Sequence, residues 1–84
     1  MFYYVYILKS LKDHNLYTGL TNNLDSRIKE HNQGENQSTK ARKPFVLVYY
    51  EALPTKEEAI VREKFYKSGR GRELLKKILF KSLT

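Results

Sequence analysis

Cysteine is absent from this 84-residue chain. That excludes disulfides, thiolate metal sites and a catalytic thiol together. Histidine is scarce: His14 and His31 are the only two, and two imidazoles cannot complete a zinc site without carboxylates. Proline occurs twice and glycine four times, which does not fit a low-complexity or disordered chain. No apolar run approaches the roughly 18 residues that a membrane-spanning helix needs. The opening Met1-Phe2-Tyr3-Tyr4 has no basic stretch ahead of its apolar residues and no small-residue cleavage site, so it reads as a strand rather than a signal peptide. The expectation is a cytoplasmic protein without a membrane segment. A Gly-rich phosphate loop is missing, and so is a Ser-His-Asp order with supporting context.

What remains is an ordinary globular composition, 40% hydrophobic and 30% charged. Residues 1–84 are expected to form one domain. A chain this short buries only about 60% of its unfolded surface, so every apolar residue matters. Sixteen Lys and Arg against nine Asp and Glu leave a net charge of +7. Such a surface attracts polyanions, of which nucleic acid is the commonest. An anionic membrane surface, or solubility alone, fits the same number.

Residues 2–8 are aromatic and β-branched almost throughout, as in a central strand covered on both faces. A polar loop follows, then a second strand over 16–21, and the two should form a hairpin. With the turn centred near Leu11 and Lys12, Tyr6 would lie opposite Tyr17. Asn22 or Asn23 can cap a helix over 24–33, with Leu24, Ile28 and His31 on one stripe and Arg27 at its edge. Gly34 stops it. Residues 35–44 read as a long basic loop, and 45–52 as a third strand. Thr55 with Glu58 makes a capping box for a helix running to residue 67. Ser68-Gly69-Arg70-Gly71 breaks that helix, and a last one covers 72–82. The order β-β-α-β-α-α gives an α+β fold: a small three-stranded antiparallel-type sheet flanked by three helices.

Glu63 stands out because it falls between Ala59, Ile60 and Tyr66 on the side expected to face the sheet. A carboxylate there needs a cation, either a lysine or arginine or a metal ion. Arg27 and His31 are four residues apart and share a helix face. Arg27 could grip a phosphate and His31 could donate to it; a boundary arginine and a half-buried histidine fit equally. Tyr6 and Tyr17 read as core residues with hydroxyls at the rim. Gly19 inside a strand points to a bulge or a close approach. Ser38, Thr39, Lys40, Arg42 and Lys43 mix hydroxyls with cations, as a phosphate-contacting surface or a solvated loop would. Arg70 and Arg72 sit at the start of the last helix, where amides could also face an anion.

Together these residues resemble the GIY-YIG nuclease family. The first signature element corresponds to Tyr4-Val5-Tyr6, the second to Tyr17-Thr18-Gly19, and Arg27 and His31 follow on the next helix. Glu58-Ala59-Ile60-Val61-Arg62-Glu63-Lys64 is similar to the helix carrying the family's metal-binding glutamate. The stretch from Lys67 to Glu73 is similar to small stand-alone bacterial members of the UPF0213 kind. Tyr4 and Val5 replace glycine and isoleucine, Thr18 replaces isoleucine, Leu20 stands where DNA-repair members carry lysine, and no asparagine follows Asn36. The resemblance implies a metal-dependent endonuclease acting on DNA. Glu63 would bind Mg²⁺ or Mn²⁺, and Tyr6 or Tyr17 would deprotonate or position the attacking water. Arg27 would stabilise the phosphate, and His31 would assist. The alternative is a nucleic-acid-binding module of the same fold with little or no cleavage. The partner is then DNA (single-stranded, duplex or branched), with RNA open, and the protein a monomer or weak dimer.

Overall fold

The central strand is the most apolar segment of the chain, and the topology follows from burying it on both sides. The computed structural model describes residues 1–83. Strands β1 (Tyr3–Ser10), β2 (Leu16–Thr21) and β3 (Phe45–Leu53) form an antiparallel sheet in the order β2-β1-β3. Helix α1 (Leu24–Asn32) covers one face, where Tyr6, Leu8 and Phe45 meet Tyr17, Leu24 and Ile28. Helices α2 (Lys56–Lys67) and α3 (Gly69–Ile78) cover the other. There Val5 and Ile7 pack with Ala59, Tyr66, Leu75 and Leu79. The alternation of β1 thus feeds two clusters, one per face.

The hairpin register differs from the expected one by two residues. Tyr6 pairs with Gly19, and Leu8 pairs with Tyr17. The cause is the turn. The Ser10 hydroxyl accepts from the amides of Lys12 and Asp13, the Asp13 carboxylate accepts from Asn15, and His14 takes a left-handed φ of 62°. These side-chain bonds close the loop one residue later than a turn at Leu11 and Lys12. A two-residue slip preserves the face, so Tyr6 and Tyr17 still share one side of the sheet.

The last two helices are separated by less than expected. Ser68 alone breaks the path: its amide donates to Phe65 O, ending α2, and its hydroxyl accepts from Gly71, capping α3. Helix α3 therefore starts at Gly69 rather than at residue 72, and it ends at Ile78 before turns that continue to Leu83. Gly71 permits this tight reversal, since a Cβ there would lie 1.9 Å from the Phe65 carbonyl oxygen, whereas Gly69 faces open space. Gly71→Ala should therefore cost about 1–3 kcal/mol through forced backbone movement. Gly69→Ala should be neutral or gain up to about 1 kcal/mol. Urea denaturation of the two variants checks the contrast.

A polar cluster locks α2 to β3. Arg62 donates to both Glu51 oxygens at 2.9 and 3.0 Å, Tyr49 donates at 2.9 Å, and the Tyr66 hydroxyl donates to the same carboxylate. Arg62 also lies 4.9 Å from the Tyr66 ring centroid. The Arg62 hydrogen bonds hold the Glu51 carboxyl down at about 2, against an ordinary 4.5. A depressed folded pKa means that this stabilisation is complete above the unfolded value and is lost as pH falls from 4.5 through about 2. Stability measured by urea titration should drop across that window, and Glu51→Gln should flatten the drop while lowering stability at neutral pH.

Candidate active site

The sequence brings four chemically capable side chains to the β2 edge of the sheet. Tyr6 projects from β1 across Gly19, whose missing Cβ would stand 2.3 Å from the Tyr6 Cζ and Oη. Gly19 is thus a close-approach glycine in a regular ladder, and the tyrosine ring is what approaches. Asn23 caps α1 by accepting from the Ser26 amide, which sets the helix so that Arg27 and His31 face the tyrosine. The Tyr6 hydroxyl lies 2.9 Å from His31 Nε2, and His31 Nδ1 lies 2.7 Å from the Thr39 hydroxyl.

His31 is fully buried. Tyr17, Tyr6 and Phe45 surround its ring edge-on, with centroids at 5.1, 5.8 and 5.9 Å. Burial first, and the nearby Arg27 charge second, push its pKa below the ordinary value, so it is a neutral imidazole at pH 7. Tyr6 is pushed up to about 12, mainly by burial and then by Tyr17; Arg27 opposes the shift and Glu63 adds to it. The charges of Arg27 and Glu63 are therefore both felt at this one hydroxyl.

Arg27 donates to the Leu20 carbonyl at the long limit of 3.5 Å. Its Nε lies 3.4 Å from a Glu30 oxygen, yet it is buried without an aligned acceptor among the described residues. The charges attract, but the N–H does not point along the line joining them. Glu63 is 22% exposed and meets Lys67 Nζ at 3.1 Å. The ion-pair option for this carboxylate is thus realised in the structure.

From Tyr17 a groove of about 730 Å³ runs along the free edge of β2, with Arg42, Lys67, Arg72 and Lys76 among its lining residues. Leu16 and Leu75 add apolar surface to it.

A model of the GIY-YIG catalytic domain matches residues 2–77. The chain belongs to the GIY-YIG family. That is a family of nucleases, and the three-stranded sheet with its order β-β-α-β-α-α is the GIY-YIG fold. A UPF0213 protein of Staphylococcus haemolyticus is 47% identical over 77 residues, covering 90% of this chain and 93% of its own. One from Clostridium perfringens is 48% identical over 81 residues, covering 95% and 86%. The solution NMR structure of a UPF0213 protein from Bacillus halodurans is similar, with a TM-score of 0.57 and 44% identity over 93% of this chain and 85% of that one.

The basic loop divides where the sequence reading treated it as one surface. Lys40 and Lys43 are exposed, and Ser38 is exposed with its hydroxyl donating to Asn36. Thr39 is a correction: it is fully buried against His31 and is not a surface contact. Arg42 lines the groove, but its Nε donates to Asp13 at 2.7 Å, so much of its charge steadies the hairpin turn. Arg70 and Arg72 are exposed on α3, and only Arg72 lines the groove. The sequence reading missed Lys67 and Lys76. Lys67 was accessible as the residue four positions after Glu63 on one helix face. It also missed Asn32, whose side chain bonds both the amide and the carbonyl of Phe45 at 2.6 and 3.1 Å and so ties the end of α1 to β3. Among the described residues no helix is long and apolar enough to cross a membrane.

Proposed function

We propose that this GIY-YIG domain is a metal-dependent endonuclease that hydrolyses DNA phosphodiester bonds at the Tyr6, Arg27 and Glu63 cluster. The observation that carries the reading is Arg27. Its guanidinium shares the environment of the Tyr6 hydroxyl and keeps a buried N–H without an aligned acceptor. An unspent donor costs stability, and a phosphate oxygen is the acceptor that best suits a guanidinium.

The donor set limits how a metal is held. Among the described residues no group of three or more His, Cys, Asp or Glu side chains comes together. A protein cage is thereby ruled out among them, but a hard cation that keeps its waters and takes substrate oxygens fits a single carboxylate. Glu63 would hold Mg²⁺ or Mn²⁺. When bound, such an ion neutralises charge developing on the phosphate and supports the leaving oxygen. Arg27 binds and orients the phosphate. Neutral His31 fixes the direction of the Tyr6 hydroxyl. With its pKa raised to about 12, Tyr6 is a phenol in the free protein, so its first role is to position water by hydrogen bonding. Tyr17 lines the groove, where it can share that task. Lys67, Arg72 and Lys76 supply phosphate contacts along the groove, with Lys40, Lys43 and Arg70 on the adjoining surface.

One observation favours the second reading, nucleic-acid binding with little cleavage: Lys67 already neutralises Glu63. A single experiment separates the two. Single-stranded, duplex and branched DNA, with an RNA control, are incubated with and without Mg²⁺ or Mn²⁺, beside Glu63→Gln. Metal-dependent cleavage lost in the variant is the expected result. Binding without cleavage under either metal overturns the enzyme reading. An affinity independent of salt would overturn both, because each neutralised phosphate should contribute a log–log slope of about −0.7 to −0.9.

A further inference from the structure

Thr39 lies in a loop whose neighbours face solvent, yet it is completely buried, with its hydroxyl 2.7 Å from His31 Nδ1. A neutral imidazole carries one N–H and one lone pair, so the two ends of His31 are not independent: whichever nitrogen donates, the other accepts. The Tyr6 end decides which. Arg27 acts on the Tyr6 hydroxyl as a donor and a positive charge, and a guanidinium can only donate. One lone pair of that oxygen serves Arg27, and the O–H is then free to donate to His31 Nε2, 2.9 Å off. In that arrangement Nε2 is bare and the ring proton sits on Nδ1, aimed at Thr39.

We propose that Thr39 is a positioning residue, accepting the His31 Nδ1–H so that the Nε2 lone pair holds the Tyr6 hydroxyl proton inward and leaves a phenol lone pair free for Arg27. The function part of this inference rests on the nuclease reading; the tautomer does not. Charged and titratable groups around the ring are Arg27 and Glu30 on its own helix and Tyr6 and Tyr17 from the sheet. None of them offers Nδ1 an alternative hydrogen-bond partner in the structure. The Thr39 backbone is held independently, by Thr39 N–H to Asn36 O and by Arg42 N–H to Thr39 O. Replacing the hydroxyl with a methyl, as in Thr39→Val, keeps the shape and deletes the hydroxyl as a partner for Nδ1.

Long-range ¹H–¹⁵N correlation NMR reads the tautomer directly in the intact chain. His14, the other histidine, adopts a left-handed backbone that asparagine tolerates, so His14→Asn assigns the spectrum. The expected result is an Nδ1–H tautomer for His31 in the wild type. Thr39→Val should shift the population towards Nε2–H, and Thr39→Ser should restore Nδ1–H. Cleavage should fall about ten- to a hundredfold in Thr39→Val and return in Thr39→Ser. An Nε2–H tautomer in the wild type overturns the proposal, and so does an unchanged tautomer in folded Thr39→Val. If Thr39→Val does not fold, the wild-type tautomer and the Thr39→Ser spectrum still decide. Absence of cleavage in the wild type with an Nδ1–H tautomer would defeat the nuclease reading and leave the hydrogen-bond assignment standing.

Discussion

Gly19→Ala is expected to abolish most activity while leaving a folded, weakened protein. The added Cβ would stand 2.3 Å from the Cζ and Oη of Tyr6, and real carbon contacts do not approach so closely. The ring must move, and it is fully buried between β2, His31 and α1, so no empty side receives it. Overpacking of this kind costs about 1–3 kcal/mol. The functional loss should be larger, because a displacement of about 1 Å at a reacting group can cost about a hundredfold. The comparison that isolates the cause is Tyr6→Phe, which keeps the ring over Gly19 and removes only the hydroxyl. It should retain near-wild-type packing, minus one buried hydrogen bond to His31 of about 1 kcal/mol, and lose cleavage to a similar extent. Urea midpoints and cleavage rates for both variants provide the check. If Gly19→Ala cuts DNA at the wild-type rate, the position of the Tyr6 ring is irrelevant to the reaction.

How much of this was legible in the sequence depends on the range of the forces involved. The strands and helices were readable because aromatic and β-branched runs, caps and apolar stripes act locally. Glu51 and Arg62, by contrast, sit eleven positions apart and meet only because α2 folds back on β3. The site shows the same division. Arg27 with His31, and Glu63 with Lys67, are helix neighbours and could be paired by spacing. The face shared by Tyr6 and Tyr17 survived a wrong register because pleat alternation has a period of two. The register itself was set by the Ser10 and Asp13 side chains in the turn, which hydrophobic pattern cannot weigh.

Thr39 shows where residue type misleads. In a loop of lysines, serine and arginine, a threonine reads as one more polar surface group. Only the approach of the loop to α1 reveals that its hydroxyl meets a buried imidazole. Gly71 behaves similarly. It looked like half of a helix break, but it lies inside α3, where its missing Cβ allows close approach to the Phe65 carbonyl of α2.

Glu63→Gln should produce the largest loss of cleavage with almost no loss of stability. The carboxylate pairs with a lysine four residues on, and its side chain is 22% exposed. Pairs of this type contribute about 0.3–0.5 kcal/mol, so thermal unfolding should scarcely change. The amide is isosteric but carries no charge, and a hard divalent cation bound mainly through one protein oxygen would lose its anchor. Metal stabilisation of a developing phosphate charge is worth several kcal/mol. A loss of about a thousandfold, or about 4 kcal/mol, is the corresponding expectation. The ion pair itself supplies the more discriminating test. Lys67 and a divalent cation compete for the same carboxylate, so Lys67→Ala should lower the Mn²⁺ concentration needed for half-maximal cleavage, even as the loss of a groove cation weakens DNA binding. The two effects separate in two titrations, because metal affinity is read at saturating DNA and DNA affinity without metal. Should Lys67→Ala leave the Mn²⁺ requirement unchanged while Glu63→Gln cuts normally, the carboxylate is a structural ion-pair partner and the metal binds elsewhere.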